Sequence, residues 1–209
     1  MVAPALVALA LCASPESAAA PRLAVWMQPA GALYAAEESV RLGRGVLYLP
    51  LGATIALPSL PIEISAELTL AAGGENLPDA SRSFFGGLLS VGPAFRLSAQ
   101  PLSGLFIQPK VIASFVSQSA TVPLGYPYFE SGSMVEVGLG LDVGYALRFG
   151  WLYLAPVIGA NVSLASGQGA PLSSLYAFRP LFAGIDPNQT EAFVYWGVNL
   201  NLLRIGGAF

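Results

Sequence analysis

The stretch SMVEVGLGLDVGYALRFGWLYLAPVIGANVSL, residues 133–164, decides the fold. From Val135 every second residue is sizeable and apolar: Val135, Val137, Leu139, Leu141, Val143, Tyr145 and Leu147. Between them stand Glu136, Gly138, Gly140, Asp142, Gly144 and Ala146. Side chains alternate across a strand with a period of two, so this run predicts a strand. After a break at Arg148-Phe149-Gly150 the alternation resumes, with Leu152, Leu154, Pro156, Ile158, Ala160, Val162 and Leu164 on one face and Asn161 and Ser163 on the other. The two runs read as one long hairpin.

The chemistry of the two faces predicts the solvent. The outer face of a water-soluble sheet carries Lys, Arg, Glu and Thr, whereas the non-apolar face here is mostly Gly and Ala with isolated charges. Small residues suit a narrow lumen, and the continuous Val/Leu face suits lipid. Each run also exceeds the ~9–11 tilted residues that a membrane-spanning strand requires. The soluble alternative is a sandwich or ligand-binding barrel with the large residues inside. Under that reading Gly138→Ser would sit on the outer face, and under the lumen reading it is expected to be a mild change beside Leu139→Arg.

Composition points the same way. Of 209 residues, 55% are hydrophobic and only 10% charged, against about 25% charged in an ordinary soluble domain. So few charges leave much of the surface facing something other than water. Past residue 20 no run offers the ~18 uninterrupted apolar residues of a helical span, and a closed sheet is the other way across a bilayer. The net charge of -3 provides no basic footprint for nucleic acid. Residues 1–20 are expected to be a secretory signal peptide ending in Ala18-Ala19-Ala20, although the usual positive start is missing. Cys12, the sole cysteine, would leave with it.

Working outward from the hairpin, strands are expected at about 22–34, 45–57, 62–70, 83–97, 104–118 and from 192 onward, with the hairpin supplying the sixth and seventh. This predicts an all-β protein, an eight-stranded antiparallel up-and-down transmembrane β-barrel over residues 21–209. Long connections (35–44, 73–82, 119–131 and 166–191) alternate with short ones. Phe95, Tyr145, Trp151 and Tyr153 fall near the short turns, and Phe85, Phe115, Phe193 and Trp196 near the long loops, as two interfacial girdles. Parity sends Glu63, Glu67, Arg96, Gln108, Lys110, Glu136, Asp142, Asn161, Asn199 and Asn201 into the lumen, where Lys110 pairs with Asp142 and Arg96 with Glu63. An eight-stranded barrel is just wide enough for such side chains to fill it. The outward parity of Val198, Leu200 and Leu202 does not continue to Phe209, which calls for a bulge near Leu202-Leu203 or Gly206-Gly207.

With these strands and the terminal aromatic Phe209, the chain resembles the small OmpA/OmpX-like outer-membrane barrels of Gram-negative envelopes across residues 21–209. The resemblance implies an integral outer-membrane location, a monomer, outer-membrane lipid and the barrel assembly machinery as partners, and Phe209 as the assembly signal. Segments near Glu37, Asn76, Tyr126 and Leu175 would then be extracellular, and those near Ser59, Gln100 and Phe149 periplasmic.

Catalysis is not expected. The chain contains no histidine and no cysteine after Cys12, which removes Ser-His and Cys-His chemistry. Glu136 and Asp142 share a face but stand about 20 Å apart along a strand, too far to act as a carboxylate pair. No cofactor motif and no metal cluster are recognisable. The aromatic stretch containing Tyr176, Phe178, Arg179 and Phe182 is a candidate interaction loop. The expected role is non-enzymatic, an envelope structural or surface-interaction protein with a filled lumen. The alternatives are a narrow, porin-like channel or carrier for a small apolar molecule, and a soluble ligand-binding β-barrel.

Overall fold

The computed structural model describes residues 22–30, 33, 36, 45–57, 60–77, 80–98, 100–121, 132–167, 192–199 and 203–209. Ten strand segments follow one another: β1 (Leu23–Met27), β2 (Gly45–Ala56), β3 (Ile62–Leu77), β4 (Ala80–Arg96), β5 (Gly104–Thr121), β6 (Gly132–Phe149), β7 (Leu152–Ala155), β8 (Val157–Gly167), β9 (Phe193–Asn199) and β10 (Arg204–Ala208). All pair antiparallel. The signal-peptide and candidate-loop expectations, with Asn201, lie outside the described residues, and of Asn199 only the backbone is described.

Ten segments make eight strand positions. β7 and β8 continue each other against β6 without a register change, since Leu147 faces Leu154 and Gly144 faces Val157. Only Pro156 separates them, because its nitrogen has no hydrogen to donate; its carbonyl still accepts from the Tyr145 N–H at 3.1 Å. β9 and β10 are likewise two parts of the last strand, β9 on β8 and β10 on both β7 and β1. The order therefore runs from β1 through β6 to β7/β8 and β9/β10 and back to β1, a closed, barrel-like ring. Phe209 closes the seam: its carbonyl accepts from Arg22 and Leu23, and its N–H donates to Leu23.

The last strand contains the parity change. Asn199 faces Gly159 and Arg204 faces Ala155, so this strand advances five residues while its neighbour advances four. That is the count of a bulge. Val194, Trp196 and Val198 point outward before it; after it the even positions Arg204 and Ala208 are buried and Phe209 is exposed.

Three expectations are corrected. β1 ends at Met27 instead of reaching 34, and Pro29, Ala30, Leu33 and Ala36 are helical; proline's fixed φ suits a first helical position. Of the polar loop expected at 73–82, residues 73–77 and 80–82 are strand, because β3 and β4 stay paired to Leu77 opposite Ala80. Backbone pairing does not require apolar alternation, and Gly73 leaves the space that the Phe84 ring fills. The connection between these strands is residues 78–79, so long and short connections do not alternate there. Third, Tyr153 is 2% exposed and belongs to the interior, not to an outer girdle.

Two further prolines are placed at little cost. Pro93 and Pro109 fall opposite each other where the β4–β5 ladder is interrupted between Val91 and Phe95, so both missing donors share one gap. The outer face is apolar around the ring: Val25, Leu51, Leu68, Leu89, Val111, Leu139, Val162 and Val194 represent their strands and are all exposed. Phe85 and Phe115 stack edge to face at 5.9 Å on this surface.

Candidate functional site

Inside the ring, large side chains lie over glycines of the neighbouring strand. A Cβ on Gly52 would strike the Trp26 ring, one on Gly73 the Phe84 ring, one on Gly144 the Phe106 ring, one on Gly140 the Lys110 stem and one on Gly159 the Asp142 carboxylate. The glycines are counter-surfaces that let a narrow ring hold bulky groups. Gly138 is one of them: a Cβ there would meet the Ser163 hydroxyl and the Val162 carbonyl. Gly138→Ser is therefore not the mild change that parity alone implies.

Two apolar clusters bracket a polar belt. One gathers Trp26, Ala94, Leu102, Phe106, Tyr153 and Val157 toward the short turns; the other gathers Phe84, Leu88, Ile112, Val116 and Met134 toward the opposite end. Between them lie the charges. Lys110 Nζ donates to Asp142 Oδ2 at 2.8 Å. Arg204 Nη2 donates to the same oxygen at 3.2 Å, its Nη1 donates to Gln108 Oε1 at 3.2 Å, and Glu67 Oε2 stands 4.0 Å away. Ser114 donates to Glu136 Oε2 at 2.7 Å. Trp26 Nε1 donates to Thr54 Oγ1 at 3.1 Å, and Thr54 and Ser65 share a hydrogen bond. Asn161, only part-buried, approaches Ser163 at 3.4 Å, a distance at which little hydrogen bonding remains.

Arg204 is the residue that alternation missed, because the bulge turns it inward. Its guanidinium carbon sits 4.3 Å from the Trp26 ring centre and 5.8 Å from that of Phe106. The cation thus has aromatic faces beside it and acceptors at its edge. The signal that pointed to it was indirect: the failed parity before Phe209 required an extra residue, and any such residue upstream of 204 reverses Arg204.

Glu63 and Arg96 do different work at the short-turn mouth. They form an ion pair with each other, and both also hold the turn that follows β4. Glu63 Oε1 accepts from the Leu102 N–H at 2.8 Å, and Arg96 Nη1 donates to the Ser103 carbonyl at 2.9 Å. Leu102, at φ 53°, is thereby pressed into the interior with no exposed surface. The left-handed conformation is costly for leucine. The ion pair and the apolar cluster around Leu102 offset that cost.

The space bounded by Thr54, Glu63, Ser65, Ala94, Phe106, Gln108, Tyr153 and Arg204 has no room for a water molecule. Among the described residues no group of His, Cys, Asp and Glu is placed to hold a metal. Asp142 is wholly buried, and one of its oxygens is shared by the two cations Lys110 and Arg204.

No family model, curated protein or solved structure matches this chain.

Proposed function

We propose that the chain is an integral protein of a bacterial outer membrane, an eight-stranded transmembrane β-barrel with a non-enzymatic structural or surface-interaction role and a lumen filled by its own side chains. The observation that carries this reading is the inverted distribution of the residues. Leucine, valine, isoleucine and phenylalanine cover the outside of the closed ring, whereas Glu63, Glu67, Arg96, Lys110, Glu136, Asp142 and Arg204 are buried within it. An aqueous monomer rarely exposes an apolar patch beyond a few hundred Å²; a belt around every strand needs an apolar solvent. No described helix is long and apolar enough to cross a membrane, so the strands would do so. Exposed Phe95, Tyr145, Phe149 and Trp151 near the short turns, and Phe85, Phe115 and Trp196 toward the other strand ends, suit two interfacial girdles. Exposed Phe209 is available to the barrel assembly machinery, outer-membrane lipid is the principal partner, and a monomer suffices because the ring closes on itself.

A channel or carrier for a small apolar molecule is the weaker reading, since two apolar clusters and a paired belt occupy the interior. The expected result is that the protein sediments with outer membranes, resists alkaline extraction, migrates differently on gels before and after boiling, and gives no steady conductance in planar bilayers. Recovery in the aqueous fraction would overturn the membrane reading, and a stable conductance level would overturn the filled lumen.

A further inference from the structure

Three short turns join strands at one end of the ring, and among their described residues only the β4–β5 turn buries an apolar side chain completely. Leu60 in the β2–β3 turn and Trp151 in the β6–β7 turn are exposed, whereas Leu102 has no exposed surface. Its backbone takes the left-handed conformation at φ 53°, and Gly104 follows at φ 89°. Leucine is a costly choice there, since glycine makes the same turn without steric conflict. What leucine adds is its side chain, which belongs to the cluster with Trp26, Phe106, Ala146 and Tyr153.

Side chains hold this turn to the ring. The β4–β5 ladder ends at Arg96 opposite Phe106, with one further bond from the Leu97 N–H to the Leu105 carbonyl at 3.0 Å. Beyond it Glu63 Oε1 accepts from the Leu102 N–H, and Arg96, paired with Glu63, donates to the Ser103 carbonyl. The Ser98 hydroxyl donates to the same carbonyl. Glu63 belongs to β3, so it ties the turn to a neighbouring strand. Backbone strain favours release and a few side-chain bonds oppose it, whereas long ladders hold the strands themselves. A segment held in this way opens locally at a lower free energy than the whole protein unfolds.

We propose that the β4–β5 turn is a releasable stopper: Leu102 closes the short-turn mouth, Glu63 is the catch, and release uncovers the apolar cluster while the ring stays folded. Lys110, Arg204 and Asp142 form a separate set of ion pairs and are no part of the catch. The proposal therefore holds whether or not the lumen conducts and, in micelles, whatever surrounds the ring in the cell.

Two buried alanines serve as probes. Ala146 is paired with Gly104 and lies in the cluster at the mouth; Ala165 lies in the cluster at the far end. Each is changed to cysteine in a full chain carrying Cys12→Ser, folded in maltoside micelles and treated with a charged, water-soluble thiol reagent. Ala146→Cys is expected to react at a rate that low urea does not alter, and Ala165→Cys only as fast as urea-dependent global unfolding allows. Glu63→Gln removes the charge that holds Arg96 and is expected to speed labelling of Ala146→Cys about tenfold more than that of Ala165→Cys. Leu102→Gly fits the left-handed backbone but lacks the stopper, so it serves should the glutamine variant not fold, and it is expected to quicken labelling of Ala146→Cys selectively as well. Equal, urea-dependent rates at the two probes, or no selective gain at Ala146→Cys in a variant that folds, overturns the proposal.

Discussion

Arg204→Met is expected to destabilise the folded protein by about 3–5 kcal/mol, the cost of removing one member of a buried charge network and leaving the others uncompensated. The arginine donates to Gln108 and Asp142, stands near Glu67 and lies between Trp26 and Phe106. Methionine fills a similar volume and keeps the aromatic contact but returns none of the donors. Urea titration in vesicles measures the loss, and a cost below about 1 kcal/mol, the range of an exposed pair, contradicts the account of the belt. The same network changes what is expected at Lys110. Lys110 paired with Asp142 alone would make Asp142→Asn a rescue of Lys110→Met. With Asp142 shared between Lys110 and Arg204, Lys110→Met leaves the carboxylate one cation, and adding Asp142→Asn strips Arg204 of its charged acceptor. The double variant is therefore expected to be less stable than Lys110→Met.

Leu139→Arg carries the second large effect, and it depends on the surroundings of the ring. Leu139 lies midway along β6 and is 67% exposed, opposite Val111 on one side and Val162 on the other, both exposed. In hydrocarbon near the midplane the arginine costs about 2–4 kcal/mol. In water the same exchange at an exposed position stays within about 0.5 kcal/mol. Unfolding midpoints of the two proteins in lipid vesicles separate the cases, and equal midpoints would place Leu139 in water.

The sequence carried much of this in one signal, alternation. In β6 the apolar odd positions and the small or charged even positions specify both faces, and the same reading in β3 and β5 gives Glu63, Glu67, Gln108 and Lys110 their side. Alternation fails where the backbone does something a period of two cannot express. The bulge between Asn199 and Arg204 hid the inward cation, since parity carried forward from Val198 leaves Arg204 no inward place. Leu102 does lie in a turn between the strands, but its burial was not foreseen, because nothing local marks a leucine whose N–H is held by a distant carboxylate, Glu63. Tyr153 was read as an interfacial ring although it lies on the opposite face from Leu152 and Leu154; its aromatic character outweighed its parity. The extension of β3 and β4 to Leu77 and Ala80 was missed because glycine, serine and alanine signal a loop while pairing as well as any other residue.

Lipid is expected to cover the outside of the ring, with the inside sealed from it. Tryptophans report on both sides: Trp196 is 76% exposed and Trp26 is 2% exposed. Single-tryptophan variants retaining one or the other, folded into vesicles whose acyl chains carry bromine, place each indole relative to hydrocarbon by fluorescence quenching. The account predicts strong quenching of Trp196 and little of Trp26. Unquenched Trp196 in folded protein, or quenching of Trp26 as strong as that of Trp196, would contradict it.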